Sequence, residues 1–285
     1  MNPGILINPF HQYIEIEANL FTKPEKVIPT FSPELNRQFT WGGIEKGRSI
    51  MIGAKFYVGK TYFALNWARY LIERKYRVHF FSLDMDFKRI FIRLLRQVLS
   101  VGEIAAIDKW KEDTAFVREK LTDAGYFDYL KIYTNEKKPI LFNEITYIVE
   151  QEKPDIVFVD HFGKLQGMGR SIYEETAGIA EYFRAKKTSL NTVFAVLVQM
   201  RKEHHRTRLP NAIPPQADDY KGAGNIGEDA DVLLSLARPD LDKECEIGHR
   251  GMIVGSLRKN RLSDNPEDDY IYWGYSKTTT IMTDV

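Results

Sequence analysis

The chain holds a single cysteine, Cys245, among its 285 residues. An internal disulfide and any multi-cysteine zinc site are excluded, and a reducing, cytoplasmic setting is the expectation. Net charge is almost absent, since 40 Lys and Arg against 39 Asp and Glu leave +1. That excludes a uniformly basic nucleic-acid coat and an acidic tail, while leaving room for a local basic path. No apolar run approaches the roughly 18 residues of a membrane span, the longest being pieces such as Thr192-Val-Phe-Ala-Val-Leu-Val198. No Lys or Arg precedes the first apolar residues, so the start does not read as a signal peptide, and a soluble protein without a membrane partner is expected. Internal repeats and low-complexity tracts are missing as well. The rest is ordinary: 44% hydrophobic and 28% charged residues suit a globular protein with a large core rather than a disordered one.

Prolines at 3, 9, 24, 29 and 33 prevent a long helix near the start, and residues 1–40 are expected to form an extended arm. The main domain is expected over 41–285. Short apolar runs predict strands at 49–53, 77–83, 130–133, 155–160, 192–198, 231–236, 251–258 and 269–275. Between them, one-sided apolar spacing predicts helices at 60–75, 87–99, 141–151 and about 172–189, with a helix and loops over 101–128. Residues 201–228 are a long polar stretch with Gly and Pro. Strands alternating with helices imply an α/β fold: a mostly parallel central sheet with helices on both faces, and an antiparallel edge from the consecutive late strands.

The strongest motif is Gly53-Ala-Lys-Phe-Tyr-Val-Gly59-Lys60-Thr61, placed after a predicted strand and opening a predicted helix. This is the context of a phosphate-binding loop, whose backbone N–H groups and helix start surround a nucleotide's phosphates. Gly59 allows close approach, Lys60 (solvated while the site is empty) meets the β/γ-phosphates, and the Thr61 hydroxyl coordinates Mg²⁺. The strict spacing asks for glycine at the position of Ala54, whereas Gly53 stands one place early. Asp160 ends the apolar run Asp155-Ile-Val-Phe-Val-Asp160 at the edge of a parallel sheet where ligands bind, so it is the second candidate for Mg²⁺. Two carboxylates follow the strand after the loop helix. Asp84 is assigned to positioning the attacking water, and Asp86 to capping the helix that starts at Phe87.

These stretches, from about Gly42 to Gly274, resemble the RecA-like motor domain of DnaB-type hexameric replicative helicases. That family also often has Ala at the Ala54 position, and the resemblance implies nucleotide contacts by Gly53, Ala54, Val58, Gly59, Lys60, Thr61 and Tyr62. Gly42-Gly-Ile-Glu-Lys-Gly47 and Val159-Asp160-His161-Phe162 are similar to family stretches, and Ser82-Leu-Asp84-Met85 looks like the family's Ser-Leu-Glu-Met. Gln199 resembles its γ-phosphate sensor, and Lys259-Asn260-Arg261 its Lys-x-Arg pair that reaches a neighbouring subunit's nucleotide. Lys221-Gly-Ala-Gly224-Asn-Ile226 with Asp229-Ala-Asp231 resembles its DNA loop and following strand. The resemblance implies an ATP- and Mg²⁺-dependent DNA helicase, a homo-hexameric ring on single-stranded DNA, with replisome proteins as further partners. Two departures stand out. Asp84 is one methylene shorter than Glu, and some 40 residues before the motor are too few for the family's helical N-terminal domain.

Arg201, Lys202, Arg206 and Arg208, with Lys221, Gly222 and Gly224, form the candidate nucleic-acid path. Basic side chains and backbone amides track phosphates without reading sequence. The loop holding Lys164 and Arg170 is a second candidate, while His204-His205 lacks a partner spaced for metal binding. The same parts also serve a RecA-type recombinase or strand-annealing ATPase, and a degenerate ATPase that only binds DNA or a helicase.

Overall fold

The computed structural model describes residues 26–165, 189–200, 212–220, 230–242, 249–263 and 269–285. One sheet of nine strands organises them. After the paired strands β1 (Val27–Ile28) and β2 (Ile44–Glu45) come β3 (Ser49–Ala54), β4 (Val78–Ser82), β5 (Leu130–Thr134), β6 (Ile156–Asp160), β7 (Val193–Gln199) and β8 (Val232–Ala237). β9 (Met252–Asn260), β10 (Tyr270–Tyr275) and β11 (Met282–Asp284) complete the series. The sheet order is β11-β10-β9-β8-β3-β7-β6-β4-β5. From β8 to β5 all neighbours are parallel, and β9, β10 and β11 form the expected antiparallel edge.

The central strands are buried on both faces, and alternate residues enter two separate cores. Ile50, Ile52, Phe80, Ile156 and Phe158 join one cluster, while Met51, Phe81, Val157 and Val159 join the other. This alternation is why such strands read as continuous apolar runs rather than as alternating ones. Seven α-helices are described: α1 (Pro33–Arg37), α2 (Lys60–Ile72), α3 (Phe87–Leu99), α4 (Glu103–Glu112), α5 (Thr114–Asp123), α6 (Tyr126–Tyr129) and α7 (Phe142–Glu152). α2 places Phe63, Trp67 and Leu71 on one buried stripe, at the i, i+4 spacing of a helix face. Each such side chain stabilises by about 1.5–3 kcal/mol through burial.

Three expectations change. Residues 101–128 form three helices, α4 to α6, not one helix with loops. A last strand, β11, follows the three foreseen at the edge. Within the segment expected as an arm, residues 26–40 pack into the main core: Ile28, Leu35 and Phe39 are buried there. The Trp67 indole donates to the Pro29 carbonyl at 2.8 Å, and Ser32 donates to Asp284 at 2.6 Å. Residues 1–25 and the expected helix at 172–189, up to residue 188, lie outside the described residues. Among the described residues no helix is long and apolar enough to cross a membrane.

Candidate nucleotide site

The parallel strands all end on one side, and the motif residues gather there. β3 runs into the loop 55–59 and then directly into α2, whose N-cap is Gly59. Gly59 has φ +119°, a conformation side chains rarely adopt, and a Cβ there would press on the Ile253 side chain at 3.0 Å. The register then sets the neighbours. Ala54 lies beside Gln199 of β7, Asp160 of β6 beside Leu197, and Ser82 of β4 beside Asp160. The loop and the ends of β6, β7 and β4, which carry the other candidate residues, therefore lie side by side.

Thr61 Oγ1 donates to Asp160 Oδ2 at 2.6 Å, joining the two candidate Mg²⁺ ligands. Burial pushes the Asp160 carboxyl above its ordinary pKa, against the Thr61 hydrogen bond and the charges of His161, Lys60 and Arg93. A hydroxyl and one carboxylate fit Mg²⁺, which keeps waters and takes phosphate oxygens rather than a full protein cage. In keeping with that, no cluster of three or more acidic, His or Cys ligands occurs among the described residues. Gln199 carries a buried Nε2 with no hydrogen-bond partner, a donor of the kind a phosphate oxygen would satisfy.

Lys60 corrects one expectation. Its side chain, half-buried, is folded back on its own loop, donating to the carbonyls of Ala54 at 3.2 Å and Lys55 at 3.1 Å. Burial lowers its pKa to about 8, with Asp160 and Asp84 pulling the other way. An arriving polyphosphate raises it again. Nucleotide binding at pH 8 is therefore expected to take up about half a proton. The difference in uptake between the unaltered chain and Lys60→Ala should vanish at pH 6, where Lys60 is already charged. Calorimetry in buffers of different ionisation heat checks this.

Gly53 lies inside β3, and a Cβ there would strike the Tyr220 ring at 2.4 Å. Tyr220 is buried and donates to Ser235 at 3.1 Å. The close approach of that ring accounts for a glycine one place early. Val58 is buried, whereas Phe56 and Tyr57 are exposed at the loop tip, Tyr57 at 86%. The Tyr62 ring packs against Tyr275, with centroids 5.4 Å apart, and against the Arg93 guanidinium at 4.6 Å. Arg93 is a cation at the site that sequence reasoning missed. It sits on α3 among apolar positions, where no pattern marks it.

Asp84 is exposed just beyond β4, with Lys164 Nζ 3.8 Å from its Oδ1. Lys164, a candidate for the second DNA loop, thus faces the site. Asp86 caps α3, accepting from the Arg89 amide at 2.7 Å. Asp84→Ala is accordingly expected to slow ATP turnover at least about a hundredfold, the scale of a lost general base. Asp86→Ala should instead cost about 1 kcal/mol of stability with turnover retained. Steady-state ATPase rates and thermal melts of the two variants check the division; the reverse pattern would exchange the roles.

Lys259 and Arg261 are at the opposite end. β9 runs against β8, so Asn260 pairs with Val232, the first residue of β8. The Arg261 amide donates to the Asp231 carbonyl at 2.9 Å, and the Asp231 carboxylate accepts from the Ser49 amide at 2.8 Å, where β3 begins. The loop lies a full strand away, roughly 20 Å for six residues. Arg201, Lys202, Arg206, Arg208, Lys221, Gly222 and Gly224 lie outside the described residues, as does Arg170.

A Gly-Lys-Thr loop opening a helix at the C-terminal ends of a parallel sheet, with a Thr–Asp pair beneath it, has the form of a P-loop nucleotide site on a RecA-like sheet. The family model described as DnaB-like helicase C terminal domain matches residues 28–266, and the chain belongs to that family. A probable plasmid replicative DNA helicase of Chlamydia trachomatis is 27% identical over 231 residues, 79% of this chain and 50% of the relative. The replicative DNA helicase DnaC of Bacillus subtilis is 27% identical over 246 residues, 82% of this chain and 52% of the relative. The chain spans about half the length of these relatives. Among solved structures, one described as an ATPase domain superposes with a TM-score of 0.77 at 20% identity, covering 96% of both chains. A DnaB-like replicative helicase, described with its interactions with primase, gives 0.78 at 23% identity, over 99% of this chain and 68% of that one. At these identities the superpositions support the fold.

Proposed function

We propose that the chain is the ATP-driven motor of a ring-forming helicase that translocates on single-stranded DNA during replication, with six copies in the ring. The observation that carries this is the division of the ATPase parts between the two ends of the sheet. Lys60, Thr61, Asp160, Asp84 and Gln199 gather at one end, while Lys259 and Arg261 sit at the other. A complete site then needs the far end of a second copy, and a closed ring gives every copy such a neighbour.

Thr61 and Asp160 would hold Mg²⁺, which when bound supplies positive charge to the β- and γ-phosphates. The loop amides and Lys60 bind the phosphates, Asp84 orients the attacking water, and Gln199 senses whether the γ-phosphate is present. Gln199 is the last residue of β7, directly before the basic stretch that begins at Arg201. Loss of the γ-phosphate at Gln199 would thereby be passed to residues facing the strand. Single-stranded DNA and copies of itself are the partners this reading requires, with replisome proteins beyond them. The family match favours a helicase over a recombinase, and ATP turnover would separate it from a degenerate ATPase.

The test is unwinding of a forked duplex with ATP and Mg²⁺. Unwinding by closed rings supports the proposal; strand exchange by filaments would replace it. Binding to single strands should fall steeply with salt and show little base preference, and Lys221→Ala should make the salt slope shallower. An unchanged slope would remove Lys221 from the path.

A further inference from the structure

At the end of the sheet remote from the phosphate loop, four cations line one cavity of about 370 Å³. Lys46 comes just before β3, Arg77 just before β4 and Lys153 just before β6, with Lys26 beside them. We propose that this cavity is a second phosphate-binding site, which takes a phosphate group from a small polyphosphate or from the end of a nucleic-acid strand.

The floor is built rather than incidental. The Lys46 side chain is only 10% exposed, with Nζ 2.6 Å from Asp155 Oδ1, and Asp155 is 8% exposed. Asp155 Oδ2 in turn accepts from the Arg77 backbone amide at 2.7 Å, with Arg77 Nε 4.0 Å away. The acidic partners do not balance the cations. Glu45, which also lines the cavity, faces Arg48 at 3.5 Å, and Glu152 gives its carboxylate to His79 and Lys131. Among the described residues, the lining cations Lys26, Lys46, Arg77 and Lys153 against Glu45 and Asp155 leave an excess of two positive charges.

The walls suit charge recognition. Among the described residues no aromatic side chain lines the cavity to stack on a base. Three lysine ammonium groups and one guanidinium instead match the several oxygens of a phosphate. Lysine near a helix C-terminus is also favoured by the helix dipole, and Lys153 caps α7. That alone does not explain Lys26, Lys46 and Arg77 converging on the same space from three other elements. The proposal is independent of the motor reading, because no residue of the nucleotide site takes part.

The test uses the full chain carrying Lys60→Ala, which disables the phosphate loop, titrated with inorganic pyrophosphate at low salt by calorimetry. Saturable binding to one site is expected. Lys153 has φ +47°, which glycine adopts without strain, so Lys153→Gly should leave the melting temperature unchanged or higher. It should weaken pyrophosphate binding about tenfold, and Lys26→Ala, on an exposed residue, should do likewise. A 5′-phosphorylated oligonucleotide compared with its 5′-hydroxyl twin separates the sources. Discrimination between the twins assigns the site to strand ends, whereas pyrophosphate binding without it assigns the site to free polyphosphate. No saturation by either probe at millimolar concentration, or undiminished binding in both variants, would overturn the proposal. So would binding of polyglutamate but not of pyrophosphate.

Discussion

Replacing Arg261 by alanine is expected to slow ATP turnover by about 10³–10⁵-fold, the worth of a charge delivered to a transferring phosphoryl group from a neighbour. ATP affinity should stay near its original value, because the phosphate loop of the same protomer is untouched. The geometry behind this expectation is simple. Arg261 is tied to Asp231, and Asp231 to the start of β3, whereas the nucleotide loop leaves the other end of that strand. A side chain cannot reach along a whole strand of its own protomer, so a catalytic role for Arg261 requires a second copy. Turnover and nucleotide-binding measurements on the variant check both halves of the expectation; wild-type turnover would reduce Arg261 to a surface charge.

The second large effect is at Lys60. Lys60→Ala is expected to lower turnover by about 10²–10³-fold or more, since one pre-placed donor at a site of developing charge is worth that much. The fold should survive for a different reason from solvation of the free lysine. The mutation removes two hydrogen bonds to loop carbonyls, but it also removes a cation that burial disfavours. The Ala54 carbonyl keeps a partner in the Met200 amide at 3.1 Å. The opposing changes should leave the melting temperature within roughly 4 °C of the parent. A collapse of the melt would mean that the lysine holds the empty loop together.

Much of this fold was legible in the sequence because its parallel strands are buried on both faces. Ile156 to Val159 reads as an apolar run because both cores are apolar. The phosphate loop was legible because glycine, lysine and threonine must stand in fixed order between strand and helix. The parts that were hard to read have sparse or local signals. α4 buries only Ala106, and α5 only Val117 and Leu121, too few positions to establish a period. β1 and β2 have two residues each, and β11 three, below the length at which alternation is visible. Proline spacing, which speaks only against a long helix, could not reveal that Ile28 and Leu35 enter the core.

Within the site, sequence placed the residues that share one end of the sheet, because each closes a strand, follows one closely or opens a helix. It did not show that the Tyr220 ring, far away in sequence, leaves room only for glycine at position 53. Arg93 was invisible for a similar reason: its charge matters through its position over Tyr62 and near Asp160, which only the folded chain defines.

The most direct test of a shared catalytic site is a mixing experiment. Arg261→Ala and Lys60→Ala are each expected to be nearly inactive alone. In mixed assemblies some interfaces join an intact phosphate loop from the first variant to an intact Arg261 from the second. Those interfaces should restore ATP hydrolysis above the level of either variant, with a maximum at intermediate mixing ratios. No recovery at any ratio, in assemblies shown to exchange subunits, would contradict a site completed by a neighbouring copy.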